Sequence, residues 1–316
     1  MKTAQKVAFT TCVATLVLIA IGVWVRASGS GLGCPDWPLC HGQAVPPGDL
    51  GHEPIIEFIH RVAAGAVGIL IIITAALAWI YYRHSEPVLW SATANVPLVG
   101  LQGFLGAITV WQELPPEVVA THLLLAMIIL SLLALTAFGM YRADPDRYEQ
   151  NRKRSPAERN LGRLAVLSLL FFPLVLWIGG YMTESGAATA CSGWPLCDGH
   201  ILPANDNQEI MHMLHRYLAG LYVLLLAPLS WFAWKRRQEI AWASTVALSV
   251  AGLYVVQVFV GALNVWFTFP QPLTISHTVI AALLWFAISA AAVLGYYAPV
   301  RHPERTFVTE PNEVTA

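Results

Sequence analysis

Eight long apolar segments dominate this sequence and limit what it can fold into. Each is about 20 residues long, the length that an α-helix needs to cross a bilayer. They lie at 8–26, 59–82, 88–111, 117–140, 161–181, 211–234, 240–266 and 273–297. Only 12% of the residues are charged, against about 25% in a typical soluble domain. We therefore expect an all-α integral membrane protein with eight transmembrane helices.

The first apolar segment follows Lys2 and Lys6, as the apolar part of a signal peptide does. Two observations favour a retained helix instead. The apolar run is long for a signal peptide, and seven further runs of the same kind follow it. We therefore count segment 8–26 as the first transmembrane helix.

Lysines and arginines are distributed unevenly between the connecting segments. In an eight-helix arrangement, all but three of the 18 fall on the side where the chain begins and ends. Because these residues mark the cytoplasmic side, we expect both termini in the cytoplasm and the connections 27–58 and 182–210 outside. A formal net charge of −1 gives no indication of nucleic-acid binding. The three exceptions are Arg26, Arg61 and Arg216.

The sequence also contains an internal repeat. Three motif pairs share an offset of 155 residues, and a fourth pair, further upstream, has an offset of 157. The pairs are EFIHR (57–61) with HMLHR (212–216), QGFLGA (102–107) with QVFVGA (257–262), Thr121-His122 with Ser276-His277, and CPDWPLC (34–40) with CSGWPLC (191–197). This pattern predicts two tandem four-helix bundles related by an axis along the membrane normal.

The repeat divides the chain into four parts. We expect an N-terminal half over 1–140 and a C-terminal half over 161–300, each with four helices. A charged linker, 141–160, joins the halves, and residues 301–316 form a tail. The distribution of positive charge predicts that both the linker and the tail are cytoplasmic.

Each half carries two histidines at matching positions: His60 and His122 in the first half, His215 and His277 in the second. The members of each pair are 62 residues apart, near the outer ends of even-numbered helices. Two imidazoles on separate helices at one depth suit the axial positions of a haem iron. Histidines that only hydrogen-bond between helices are the simpler alternative. A zinc site, which usually needs four ligands, is another.

Arg61 and Arg216 directly follow two of these histidines, on the side that carries few other positive charges. A haem carries two propionates, and a guanidinium group pairs well with a carboxylate. We expect both arginines to contact propionates, and Arg26 is a weaker candidate. The alternative is that they extend to lipid headgroups at the membrane surface.

The two halves differ one helical turn before the first histidine of each pair. Glu57 stands there in the first half and His212 in the second. A buried carboxylate beside a haem is suited to carrying protons. The alternative is a glutamate exposed to water at the edge of the membrane. The difference indicates that one site carries out the chemistry and the other supports it.

Four of the five cysteines form two outer pairs, Cys34 with Cys40 and Cys191 with Cys197. The proline in each loop favours a turn that brings the sulfurs together, and the outer compartment is oxidising. We expect two disulfides. A structural role is open for both, and a redox role is open for the first. Cys12 is expected to be a small core residue, and no Cys-x-x-Cys-His motif is present for covalent haem attachment.

Together these motifs resemble those of the haem A synthase family. GLGCPDWPLCHG, EFIHR and Thr121-His122 in the first half, and CSGWPLC, HMLHR and Ser276-His277 in the second, follow one another in the family's order. The resemblance covers nearly the whole chain. The two outer cysteine pairs are similar to those of the bacterial class of the family, which implies a bacterial cytoplasmic membrane.

The resemblance implies a reaction and its cofactors. Haem A synthases oxidise the C8 methyl of haem O to a formyl group by successive hydroxylations, which gives haem A for cytochrome oxidase. By resemblance, His60 and His122 hold the substrate haem O, and His215 and His277 hold a bound haem b. All four histidines are then ligands of haem iron.

The resemblance also implies residue roles and partners. Glu57 corresponds to the family's essential glutamate, and Cys34 and Cys40 to its catalytically implicated cysteine pair. The implied partners are haem O synthase and an electron donor or acceptor.

Three other classes of protein remain open from the residues. A di-haem electron-transfer protein needs the histidine pairs but no special glutamate. A haem carrier or exporter leaves the porphyrin chemically unchanged, and parallel repeats occur among transporters. A structural membrane subunit does not explain the paired histidines.

Overall fold

The computed structural model describes residues 2–48, 51–143, 154–204 and 206–296. Within these residues the chain forms eight helices, each long and apolar enough to cross a membrane. This confirms the predicted fold class. The helices are α1 (Thr3–Ala27), α2 (His52–Tyr81), α3 (Glu86–Trp111), α4 (Pro116–Arg142), α5 (Pro156–Glu184), α6 (Asn207–Lys235), α7 (Ala243–Trp266) and α8 (Gln271–Tyr296).

Three helices begin at least five residues before the apolar runs that predicted them: α1, α2 and α5. Helix α2 begins seven residues early because its first turns lie under the outer loop, with Gly33 directly against the backbone of Glu53 and Pro54. Helix α5 begins at Pro156 because Ser155 caps it. The Ser155 hydroxyl accepts from the Glu158 amide, and the Ser155 amide donates to the Glu158 carboxylate.

The bounds of α4 and α5 also make the connection between the halves shorter than the predicted linker. Helix α4 continues to Arg142 and α5 starts at Pro156, so both ends of the predicted linker 141–160 are helical. Residues 144–153 of that linker lie outside the described part of the chain. The predicted tail, 301–316, also lies outside it.

The two halves pack against each other along α1, α4, α5 and α8. Residues of α1, α2, α3 and α4 form the buried core of the first half, and residues of α5, α6, α7 and α8 form that of the second. Met127 and Leu130 of α4 pack into the second core and so connect the two halves. Among the described residues, hydrogen bonds cross this interface at three places. The Trp285 indole donates to the Met127 carbonyl at 2.7 Å, the Trp177 indole donates to the Thr121 hydroxyl at 3.1 Å, and the Ser131 and Ser289 hydroxyls lie 2.8 Å apart.

Two long loops lie at one end of the bundle, at 28–51 and 185–206, of which residues 49–50 and 205 are outside the described part of the chain. Each contains a disulfide, Cys34–Cys40 in the first cysteine loop (34–40) and Cys191–Cys197 in the second (191–197). This confirms both predicted pairs, and Cys12 is a free, buried cysteine as expected. The loops lie at the end of the bundle where α2, α4, α6 and α8 begin, so they cover the ends of the helices that carry the histidines.

Candidate haem sites

The four repeat histidines lie at one end of the molecule, at matched depths. His60 and His215 are each the ninth residue of their helices, and His122 and His277 are each the seventh. At a rise of 1.5 Å per residue, they lie about 12 and about 9 Å from the helix starts. The imidazoles within each pair are close enough to interact electrostatically. The members of each predicted pair therefore lie near each other, and their role as ligands of one haem stays a prediction.

Each imidazole ring lies against a glycine of a neighbouring helix. A Cβ built on that glycine comes within 2.7 to 3.4 Å of the imidazole Cε1 atom, so a larger residue would force the ring to move at Gly179, would crowd it at Gly22 and Gly261, and would just touch it at Gly106. Helices α1, α3, α5 and α7 each supply one such seat. The contacts are Gly22 with His60, Gly106 with His122, Gly179 with His215, and Gly261 with His277.

Each seated imidazole has one ring nitrogen, Nδ1, without a hydrogen bond to the described residues. This atom is buried, although the rings as a whole are only half-buried. A satisfied core histidine would use that nitrogen. In the described residues, no group of three or more His, Cys, Asp or Glu side chains could hold a metal ion, which argues against a zinc site. Because Nδ1 lies against the neighbouring helix, a haem iron could bind only Nε2 on the other side of each ring, and two such imidazoles per half suit two irons.

Two glutamines on α3 and α7 support the second histidine of each pair. The Gln257 amide lies 3.1 Å from the His277 ring, and the Gln102 amide donates to the His122 carbonyl at 3.0 Å. In the sequence, Gln102 and Gln257 indicate only the repeat, as the first residues of QGFLGA and QVFVGA. Their position four residues before each glycine seat, on the same helix face, was the signal that could have found them.

Glu57 is buried at the same end of the molecule, with 4% of its surface exposed. One carboxylate oxygen accepts from the Cys34 amide at 2.9 Å. The other accepts from Arg61, at 3.1 Å from Nε and 2.5 Å from Nη2. The alternative of a water-exposed glutamate is therefore wrong. Glu57 links α2 directly to the first cysteine loop.

Arg61 completes this link. Its two bonds to Glu57 and its three bonds to the carbonyls of Cys34, Asp36 and Leu39 use all five of its N–H groups. The side chain therefore clamps the first cysteine loop onto α2. It does not extend to lipid headgroups. A propionate contact stays a prediction, and it requires one of these bonds to be exchanged.

Arg216 clamps the second cysteine loop in the same way. Its Nη1 atom donates to the carbonyls of Gly193, Pro195 and Leu196 at 2.8 to 3.3 Å, and Nη2 lies 2.8 Å from His212 Nε2. Here a buried imidazole takes the place of the Glu57 carboxylate, so this clamp lacks the negative charge of the first. Its predicted propionate contact is also untested.

Aspartates brace both loops from within. Asp36 accepts from the amides of Gly42 and His41 at 2.7 and 2.6 Å, and the Gly42 bond is the main reason that the Asp36 pKa lies below its usual value. Asp198 accepts from the hydroxyl and amide of Ser192, which lowers the pKa of Asp198. Both loops therefore have their strongest internal bonds when these carboxylates are ionised.

Arg26 lies apart from the clamps, at the boundary between the halves. It forms an ion pair with Glu184 at the end of α5. It also lines a cavity of about 210 Å³ together with Thr183, Phe269 and Thr274. Thr274 is one turn before His277, so Arg26 reaches from the first half towards the second histidine pair.

Comparison with known proteins identifies the family of this chain. Residues 5–289 match the model of the family described as cytochrome oxidase assembly protein (COX15-CtaA). This chain belongs to that family. The matched segment contains all four histidines, Glu57 and both disulfides.

Individual members of the cytochrome oxidase assembly protein family are similar to this chain over most of its length. A haem A synthase of Alkalihalophilus pseudofirmus is 30% identical over 287 residues, which is 88% of this chain and 93% of that protein. One of Symbiobacterium thermophilum is 32% identical over 238 residues, 74% and 76% of the two chains. One of Shewanella oneidensis is 30% identical, covering 87% and 91%.

Proposed function

We propose that this chain is a haem A synthase, an enzyme that oxidises the C8 methyl of haem O to a formyl group. Two hydroxylations give a geminal diol, which loses water. The observation that carries the proposal is the set of four glycine-seated imidazoles in two pairs, in a chain whose similar proteins are named haem A synthases. The paired donors match what two porphyrin irons need.

We assign the substrate haem O to His60 and His122, and a resident haem b to His215 and His277. The buried carboxylate beside the first pair supports this choice, because only the first half carries an acid at that position. The glycine contacts are also tighter in the second half, at 2.7 and 3.1 Å against 3.0 and 3.4 Å. A tighter seat suits a haem that is retained through turnover.

Haem b, when bound, would supply one-electron redox chemistry. The chain's own contribution at that site is to hold and orient the porphyrin. His215 and His277 would supply the donors, and Gln257, 3.1 Å from His277 Nε2, would give up that contact when iron binds there.

Glu57 is assigned as a catalytic residue. It lies one turn before His60 and is held by Arg61 and the Cys34 amide, so its carboxylate keeps a fixed position. We infer that it moves protons at the reacting methyl group or stabilises positive charge that develops there. The Cys34–Cys40 disulfide is assigned as part of the same catalytic unit, because the Cys34 amide bonds directly to Glu57.

The setting of the reaction follows from the charge pattern. We propose that the protein lies in a bacterial cytoplasmic membrane with both termini in the cytoplasm, so the haem sites lie near the outer face. Haem O synthase is the proposed upstream partner, because it makes the substrate, and an electron donor or acceptor is the other.

The proposal is tested by expressing the full chain in a host that makes haem O but no haem A, followed by mass spectrometry of the extracted porphyrins. Haem A or its hydroxylated precursor is the expected product. Unchanged haem O bound to the protein would overturn the proposal, and would favour a di-haem electron-transfer protein or a haem carrier.

A further inference from the structure

The core of the first half contains buried polar side chains far from the histidines. They lie on all four helices, towards the end of the bundle where α1 begins, and each is at most 3% exposed. Polar groups are costly inside a membrane and are usually functional. These side chains, which we call the polar column, are Gln5, Thr11, Thr15, Thr74, Ser91, Asn95 and Thr136.

Hydrogen bonds connect the members of the polar column between helices. Thr11 of α1 lies 3.0 Å from Thr74 of α2, and Ser91 of α3 lies 2.8 Å from Thr136 of α4. At the end of the bundle, the Gln5 amide donates to the Tyr82 hydroxyl at 3.1 Å. The column therefore begins at the membrane surface and extends into the core.

The second half has apolar residues at most of the corresponding positions. With the repeat offsets of 155 and 157, five members of the column correspond to buried residues that cannot relay a proton, Gln5 corresponds to Gly162, and Thr11 corresponds to the buried Ser168. The fold of the second half therefore does without five of the seven polar side chains. The counterparts of Thr15, Thr74, Ser91, Asn95 and Thr136 are Phe172, Leu229, Val246, Val250 and Ala291.

Asn95 indicates what the column holds. Its side chain is fully buried, and neither its amide nitrogen nor its carbonyl oxygen has a hydrogen-bond partner within the described residues. Buried polar groups without a protein partner are normally satisfied by ordered water. An asparagine in this state, one turn from the Ser91–Thr136 pair, marks a water site in the core.

The face of α3 that carries Asn95 leads to the first histidine pair. Ser91, Asn95, Gln102 and Gly106 lie on one side of the helix, and Gly106 seats His122. Gln102 has a buried carbonyl oxygen without a partner in the described chain. Along α3, the longest gap between neighbouring members of this set separates Asn95 from Gln102. It is about 10 Å at a rise of 1.5 Å per residue, and about three waters span it.

We propose that the polar column is a hydrated proton path between the membrane surface at the start of α1 and the first histidine pair. A proton that enters at one end displaces another along the chain of hydroxyls and waters. No bond to carbon changes and no electron moves along it. The purpose of the path, which is to exchange protons with the oxidation site, rests on the proposed function. The hydration of the column does not.

Hydration of the column can be measured without any haem chemistry. In X-ray radiolytic footprinting, bound water generates hydroxyl radicals that oxidise adjacent side chains. Cys12 follows Thr11 in the column half, and Met127 lies in the core of the other half, and both are at most 1% exposed. For the full chain in lipid nanodiscs, we expect Cys12 to be modified on the order of tenfold faster than Met127, because water lies beside it.

Variants that copy the second half provide the control. Asn95→Val and Thr74→Leu introduce the side chains that the equivalent positions already carry, and they should lower the Cys12 oxidation rate several-fold while the Met127 rate stays the same. A Cys12 rate that is the same in the unmodified chain and in these variants would overturn the proposal.

Proton transfer is tested by the haem A to haem O ratio in the expression host. Asn95→Val should lower this ratio several-fold while both haems stay bound, and the reciprocal Val250→Asn in the second half should leave it unchanged. An unchanged ratio in Asn95→Val would overturn the proton path while leaving haem A synthesis established. Absence of haem A from the unmodified chain would instead overturn the proposed function, and the footprinting result would still decide whether the column is hydrated.

Discussion

At the scale of single residues, the glycine seats explain how four imidazoles are held without hydrogen bonds to Nδ1. The seats were not predictable from the sequence, because whether a glycine faces a histidine depends on the rotation of two helices about their axes. The histidines themselves were predictable, since polar residues stand out in apolar helices and these recur at one spacing. Gly106 and Gly261, each four residues after a glutamine, can be recognised as histidine seats only when the packing of the helices is known.

Gly261→Ala should remove the haem of the second site. The added methyl group would lie 3.1 Å from the His277 ring and displace it. Gly252→Ala on the same helix is the matched control, because a Cβ there meets open space and the gain in helix propensity is the same. The haem-to-protein ratio and the low-spin absorption spectrum of the purified protein measure the outcome. A full haem content in Gly261→Ala would contradict the seat.

Glu57→Gln should separate haem binding from catalysis. The amide can still accept from the Cys34 amide, so the loop stays in place, but the negative charge and the titratable proton are lost. We expect both haems to remain bound and haem A formation to fall by about 100-fold or more, the usual effect of removing a general acid or base. Porphyrin analysis gives the result, and undiminished haem A would exclude a catalytic role for Glu57.

At the scale of structural elements, the arginine clamps were the largest departure from expectation. The sequence indicated that Arg61 and Arg216 matter, because they break the positive-inside pattern. It could not indicate that their partners are loop carbonyls, since backbone acceptors leave no mark in a sequence. The loop fold had to be known before the clamps could be seen.

Breaking one clamp should expose one disulfide. Arg61→Gln removes the bonds that hold the first cysteine loop, so Cys34–Cys40 should be reduced several-fold faster while Cys191–Cys197 keeps its rate. Arg216→Gln should do the reverse. Timed reduction followed by alkylation and peptide mass spectrometry measures each pair separately. Equal acceleration of both pairs by either variant would point to general unfolding and not to local clamps.

The first cysteine loop should also loosen in acid. The Asp36 pKa is lower in the folded loop than in an unfolded chain, where it is about 3.9. Its contribution is therefore complete above that value and is lost as the pH falls through the lower, folded pKa. Reduction of Cys34–Cys40 by a phosphine, which acts in acid, should accelerate below about pH 4. Asp36→Asn should remove this pH dependence, and its persistence in that variant would exclude Asp36 as the cause.

At the scale of the whole molecule, the apolar runs predicted the eight helices and their order. They did not predict that the halves share a core, because helices that face lipid and helices that face other helices have similar composition in a membrane. The contact between Trp285 and Met127, and the ion pair between Arg26 and Glu184, join the halves closely. The two predicted histidine pairs therefore lie in helices that pack directly against one another.

The most direct test of this account is the haem content of the purified full chain and of two double variants, His60→Ala/His122→Ala and His215→Ala/His277→Ala. We expect two low-spin haems in the unmodified chain under conditions that supply haem O. Each double variant should lose one of them and keep the other, with its spectrum otherwise intact. A chain that binds no iron porphyrin, or whose spectrum survives loss of these imidazoles, would contradict the two paired-histidine sites.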